Sequence, residues 1–176
     1  ELEREYRDSM KEWSKLFQRS DAGNPDGQMA WAAPSTSTED WKTMKLPTFW
    51  ELAGYYTLDG VVWFRKEIEV PEDWAGKPLD LHLGSIDVMD ITWFNGTKVG
   101  ETMEEGCFNV LRNYIVPGAL VKGGKNCIVV RVQDNGGAGG LYGVADILKL
   151  TEPTSGQSLP LAGDWRFKIG CDVSTL

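Results

Sequence analysis

Histidine is nearly absent: His82 is the only one in 176 residues. A Ser-His-Asp hydrolase needs a base that takes up a proton near neutral pH. His82 lies between Leu81 and Leu83 on the polar face of a strand pattern, with no serine in a nucleophile turn nearby. It reads as a solvent-facing or edge-packed side chain. Cysteine is also scarce. Cys107, Cys127 and Cys171 are odd in number, widely spaced and free of any Cys-x-x-Cys pair, which argues against a zinc site and leaves room for one disulfide at most. Basic residues are outnumbered, 18 against 26 acidic ones, for a formal net charge of -8. Such a balance disfavours nucleic acid or an anionic membrane as partner, because phosphate is repelled. No apolar run has the length of a membrane span, and the start, Glu1-Leu2-Glu3-Arg4-Glu5, is unlike a signal peptide. The missing initiator Met and targeting segment suggest an excised fragment, so the sequence leaves the compartment undecided.

Apolar alternation, in contrast, is abundant. From Val61 to Gly100 the chain reads as three strands in close succession, broken by a Pro-Glu-Asp turn and a Gly-Ser-Ile-Asp corner, and it ends in an Asn95-Gly96 hairpin turn. In the first strand Val62, Phe64, Ile68 and Val70 fall on a dry face, and Trp63, Arg65, Glu67 and Glu69 on a wet one, with Lys66 out of phase. Leu79, Leu81 and Leu83 alternate with Asp80 and His82, and Met89, Ile91 and Trp93 with Asp90, Thr92 and Phe94, so each strand has a side to bury, which predicts antiparallel sheet forming half of a sandwich. Residues 106–116 carry a further strand. Cys127–Val132 is the most β-prone run and reads as a buried central strand. Residues 141–150 supply one or two strands and Trp165–Ile169 the last.

Ahead of these strands, Leu2, Tyr6, Met10, Trp13, Leu16 and Phe17 recur at helical spacing, predicting an amphipathic helix of about five turns whose stripe packs on the sandwich. Residues 21–40 are rich in Gly, Pro, Ser and Thr and read as an extended connection. A short helical turn at Trp41 ends before Pro47. The predicted organisation is residues 1–40 as helix and connection, and residues 41–176 as an all-β sandwich.

Particular residues in this pattern resemble a known family. Asp59-Gly60-Val61-Val62-Trp63-Phe64-Arg65-Lys66, then Val70-Pro71 with Trp74, then Leu83-Gly84-Ser85-Ile86-Asp87 and Phe94-Asn95-Gly96, are similar to the sugar-binding-type jelly roll of family-two glycoside hydrolases. More narrowly, they resemble the version of that sandwich inserted into bacterial sialate O-acetylesterases. The similarity reaches back to Trp41-Lys42, Leu46-Pro47 and Trp50-Glu51, and forward through Arg112-Asn113-Tyr114, Arg131-Val132-Gln133-Asp134 and Gly163-Asp164-Trp165. Where such esterases often carry two acidic residues after the Ile, this chain has Asp87-Val88. The resemblance implies a jelly-roll β-sandwich with galactose-binding-domain-like topology. It also implies a parent hydrolase that removes O-acetyl groups from sialic acid in the periplasm or outside the cell. The esterase's own catalytic motifs do not occur in these residues, so the domain is expected to be non-catalytic, with the hydrolase half of the parent as its partner and a sialylated or other glycan as possible ligand.

Four residues are candidate glycan contacts. Trp63, if exposed, offers an indole face to a pyranose, and Arg65 offers a fork to a carboxylate such as that of a sialic acid. Cover by a loop or by the helix is the favoured expectation for that face, since the helix stripe needs a dry partner. Arg112 and Asp134, placed in loops, are the other two. No cofactor or metal is expected: the loop Asp134–Gly140 lacks the spacing of a phosphate-binding loop and leads into a strand. Asp87 with Asp90 reads as a turn-forming pair, and Asn95-Gly96-Thr97, though it matches a glycosylation acceptor, as a hairpin turn. Glu104 and Glu105 converge only if they lie in a loop. The competing reading is a self-sufficient carbohydrate-binding module with an exposed aromatic platform.

Overall fold

The computed structural model describes residues 2–175, apart from the side chains of Glu3, Tyr6, Arg7 and Met10. One α-helix, α1 (Leu2–Ser20), precedes eleven strands. These are β1 (Lys42–Leu46), β2 (Gly60–Val70), β3 (Leu79–Asp87), β4 (Met89–Phe94), β5 (Thr97–Thr102), β6 (Leu111–Val116), β7 (Gly124–Asp134), β8 (Gly140–Tyr142), β9 (Lys149–Glu152), β10 (Gln157–Pro160) and β11 (Gly163–Asp172). They form a six-stranded sheet in the order β1-β11-β2-β7-β4-β5 and a five-stranded one in the order β10-β9-β3-β6, with β8 also on β3.

Why β2 and β7 form the centre follows from their sequences. Both are long and β-branched, and they pair without interruption from Gly60↔Asp134 to Val70↔Gly124. Their inward residues, Val62, Phe64, Ile68, Val130 and Val132, meet Leu79, Leu81, Leu83 and Leu150 of the other sheet in the main core. The predicted central strand is therefore central. The Asn95-Gly96 turn is also as predicted: both residues have positive φ, 50° and 82°, as a two-residue hairpin of matching twist requires. The Asn95 side chain is tied down, donating to Leu120 O and Asn126 Oδ1 and accepting from the Cys127 N–H.

Four local expectations need correction. In β4 the faces are reversed: Thr92 lies opposite inward Val130 and Phe94 belongs to the main core, whereas Ile91 and Trp93 pack on the outer side of the sheet. Residues 42–46 are not a helical turn but the edge strand β1, because Met44 and Leu46 are buried while β11 supplies a complete ladder. A strand was not expected at Gln157–Pro160, where four residues pair with β9 across a short hairpin. The strand expected over 106–116 is confined to Leu111–Val116, since Arg112 draws the backbone carbonyls of Cys107 and Val110 onto its guanidinium and curls the preceding loop.

The face of β2 that carries Trp63 and Arg65, the wet side by strand alternation alone, is covered, as favoured from the sequence. It is wet only at Glu67 and Glu69; Trp63 is 0% and Arg65 3% exposed. Residues 21–41 lie across it and create a second core in which Phe17, Ala32 and Trp41 pack with Trp63, Trp93 and Val129. The connection was expected to be an extended tether. Its small residues instead permit close approach: a side chain at Gly23 would collide with the rings of Trp63 and Trp31.

The helix exists where predicted, but among the described residues of its stripe Phe17 alone packs fully. Phe17 is buried, whereas Leu2, Trp13 and Leu16 are 83%, 45% and 38% exposed. The side chains of Tyr6 and Met10 lie outside the described residues.

Candidate functional site

The four candidate contacts are all buried, and each has a different environment. Trp63 is no platform. Its ring stacks on Trp93 with centroids 5.4 Å apart, meets Trp31 edge-on, and donates its Nε1–H to Asp21 Oδ1 at 2.8 Å. Arg65 donates to the backbone carbonyls of Ala33 and Pro34 at 2.9 and 2.6 Å, fastening the covering segment to the sheet.

Arg112 is in β6 and not in a loop. Its guanidinium meets Asp90 Oδ1 at 2.8 Å and donates to the carbonyls of Ile86, Val88, Cys107 and Val110. Every nitrogen is occupied, which makes it a clamp joining two loops to one strand. Asp90 also accepts from Thr92 and from the Tyr114 hydroxyl. Burial pushes the Asp90 carboxyl up against the pull of Arg112, and burial followed by the charge of Asp90 raises the Tyr114 phenol. Asp87 and Asp90, paired in the sequence reading, are thus separated: Asp90 enters β4, while Asp87 ends β3.

Asp134 is the one candidate with unused chemistry. It closes β7 opposite Gly60, is 1% exposed, and accepts from the Gly136 N–H at 3.0 Å through Oδ1. Its other oxygen, Oδ2, has no hydrogen-bond partner among the described residues. Burial pushes its carboxyl up to about 7, opposed by the Gly136 bond and assisted by the negative charges of Asp59, Asp87 and Glu51. Glu51 and Asp87 are themselves raised, in both cases chiefly by burial. Four acids from four segments therefore converge at one end of the sandwich.

Local sequence explains how they meet. The glycine loop after Asp134 folds back against the turn holding Trp50, where the Gly139 N–H donates to Glu51 at 3.2 Å and its carbonyl accepts from Trp50 N–H at 2.9 Å. A side chain at Gly139 would overlap the Trp50 ring. Glu51 and Asp59 enter the sequence reading through the family resemblance alone and not as contact candidates. Asp59 had a usable signal, since it immediately precedes the strand that pairs with Asp134. Glu51 had none, because it arrives through a loop contact across 88 residues.

The remaining titratable candidates form no second centre. His82 is half-buried, with Nδ1 at 2.7 Å from Asn113 Oδ1, its cross-strand neighbour. Glu104 and Glu105 are exposed in a loop, and the three cysteines are free thiols. Among the described residues no group of three or more His, Cys, Asp or Glu is arranged to hold a metal ion, and no helix is long and apolar enough to cross a membrane.

Two antiparallel sheets, one helix and a buried acidic end define the chain as a β-sandwich domain. Its fold matches a domain of proteins from glycosyl hydrolase family 2. It aligns with β-glucuronidase of Bacteroides uniformis at a TM-score of 0.56 and 19% identity, over 78% of this chain and 16% of that one. A glycosyl hydrolase family 2 member from Bacteroides cellulosilyticus aligns at 0.54 and 16% identity, over 78% and 18%. Ruminococcus gnavus β-glucuronidase aligns at 0.50 and 16% identity, over 79% and 24%. The chain thus spans a quarter or less of the length of these proteins. No protein-family model and no curated protein matches it.

Proposed function

We propose that the chain is a non-catalytic, galactose-binding-like jelly-roll domain of a carbohydrate-active hydrolase, which it braces while its Asp134 end faces the glycan. The observation that carries this reading is the unpartnered Oδ2 of a carboxylate that is 1% exposed. A buried polar oxygen left unsatisfied costs about 1–3 kcal/mol, and a sugar hydroxyl, which accepts from Oδ2 when Asp134 is protonated and donates to it when it is ionised, would recover that energy. The fold likeness supports a domain role, because the match falls on a small part of much longer hydrolases.

For the parent's reaction, the sequence resemblance favours sialate O-acetylesterase, with the hydrolase half as the domain's partner. The β-glucuronidase likeness favours a glycosidase parent instead. Assaying the full reading frame for acetate release from O-acetylated sialic acid and for cleavage of a nitrophenyl glucuronide separates the two. The isolated domain is expected to do neither. Turnover lost on mutating a residue of this domain alone would overturn the non-catalytic reading. In the full protein, Asp134→Asn should raise KM for the glycan; unchanged kinetics would remove Asp134 from the glycan path.

A further inference from the structure

The net charge of -8 is concentrated at one end of the sandwich. Residues 47–59, 103–110 and 135–148 are the segments at the end where β2, β4 and β6 begin and β3, β5 and β7 finish. With the strand ends Asp87 and Asp134 they hold seven acidic residues and no lysine or arginine, which leaves 19 of the 26 acidic residues against all 18 basic ones elsewhere. Loops at the opposite end, 71–78, 117–123 and 153–156, hold two of each sign. None of the seven acids is in an ion pair among the described residues, and the flanking cations are Lys42, over the Tyr55 ring, and Lys149, at the start of β9. Apolar exposure gathers in the same place: Leu52, Tyr56, Phe108, Val110 and Val144 are all exposed, whereas the opposite loops expose no large hydrophobic side chain. The segments form one surface, since Phe49 stacks on Tyr142 with centroids 4.4 Å apart and the Tyr142 hydroxyl donates to Phe108 O at 2.6 Å. Asp134 brings to it the buried Oδ2 that has no partner.

We infer that this loop end docks on a protein face that carries lysine or arginine between apolar side chains, and that the face belongs to an adjoining domain of the parent. The inference rests on the reading above that the chain is one domain of a longer protein. Apolar side chains spread over three segments exceed what one sugar ring covers, and they gain from burial only against another apolar surface. Seven acids without counter-charges select a cationic face, because complementary potentials orient two such surfaces and exclude wrong partners. A second copy of the chain is a poor occupant: a two-fold contact sets the same patch against itself, acid against acid. Nucleic acid is repelled for the same reason. A bare metal ion fits no better, since among the described residues no group of three or more ligands is arranged to hold one. The glycan assigned to Asp134 then lies at the joint, with the docked protein on the rim around it.

The test is hydrogen exchange in the protein of the full reading frame, compared with the 176-residue chain alone. Amides of residues 50–58, 103–110 and 143–147 should exchange more slowly in the full protein. The triple variant Glu104→Lys, Glu105→Lys, Asp146→Lys changes only exposed side chains outside every ion pair of the described residues. In the full protein it should speed that exchange about tenfold, with the β2–β7 ladder still protected. Equal exchange in the full protein and in the chain alone would overturn the docking surface. Protection that survives the triple reversal would overturn the cationic partner. Protection in the chain alone that grows with its concentration would put a second copy on this face and overturn the adjoining domain. The glycan reading fails separately, through an unchanged KM on Asp134→Asn, a position that the triple variant leaves intact.

Discussion

Asp21 Oδ2 lies 2.7 Å from Arg131 Nε, joining two residues 110 positions apart beneath the indole of Trp63. The pair fixes the first residue after the helix to the central strand, and Arg131 has no other carboxylate within reach among the described residues. Removing the carboxylate strands a buried guanidinium. Asp21→Ala should cost about 3–5 kcal/mol in urea unfolding. In the Arg131→Met background the same change should cost much less, since no charge is then left behind. Equal costs in both backgrounds would show that the two residues act independently.

That pair also marks where sequence reading stops. The sandwich was legible because strand alternation and turn residues are local signals, and Val62, Phe64, Val130 and Val132 point inward as their period of two requires. The covered outer face was harder to read. Trp63 looked like either a platform or a buried ring, and what decides is the position of residues 21–41, which have no periodicity. Arg112 appeared loop-borne because the bonds that fix its place, to Asp90 and four carbonyls, connect segments far apart in sequence. Of the acidic end only Asp134 was named as a contact; Glu51 is brought to it by the fold of the glycine loop.

Asp134 should give stability a pH dependence of definite sign. Its folded pKa of about 7 lies above the usual 3.8, so in the window between them the unfolded chain is ionised while the folded one holds its proton. Ionisation therefore favours unfolding, and this contribution to stability falls as pH rises from about 4 to about 7, then levels off. The full difference amounts to about 4 kcal/mol as an upper figure. Asp134→Asn should remove the slope. Measured against the parent chain, it should gain stability steadily from about pH 4 to about pH 7. A constant difference across that range would mean that Asp134 ionises normally in the fold.

The second core makes Trp93 a load-sharing residue for the covering segment. It is 6% exposed and stacks on Trp63 at an interplanar angle of 16°. Trp93→Ala should cost about 3–5 kcal/mol, as expected for a large aromatic lost from a packed site. Because the cavity opens beneath residues 21–41, amide exchange in that segment should rise, with the β2–β7 ladder still protected. An unchanged urea midpoint would contradict this packing.

Helix α1 separates a sandwich that stands alone from one that needs its leading segment. Among the described side chains only those of its last turn anchor it, through buried Phe17 and the bond from Asp21 N–H to the Phe17 carbonyl at 3.0 Å. Its surface ion pairs, Lys15–Glu12 at 2.6 Å and Lys11–Asp8 at 3.4 Å, are solvent-exposed and contribute little. A helix of 19 residues without tertiary burial is marginal in water. Deleting residues 2–13 should therefore change the unfolding free energy by less than about 0.5 kcal/mol, the range of surface changes, while Phe17→Ala should cost about 3–5 kcal/mol. Amides from Arg4 to Trp13 should exchange orders of magnitude faster than those of β7. Strong protection there, or a large loss of stability on deletion, would show that the exposed stripe is covered in solution.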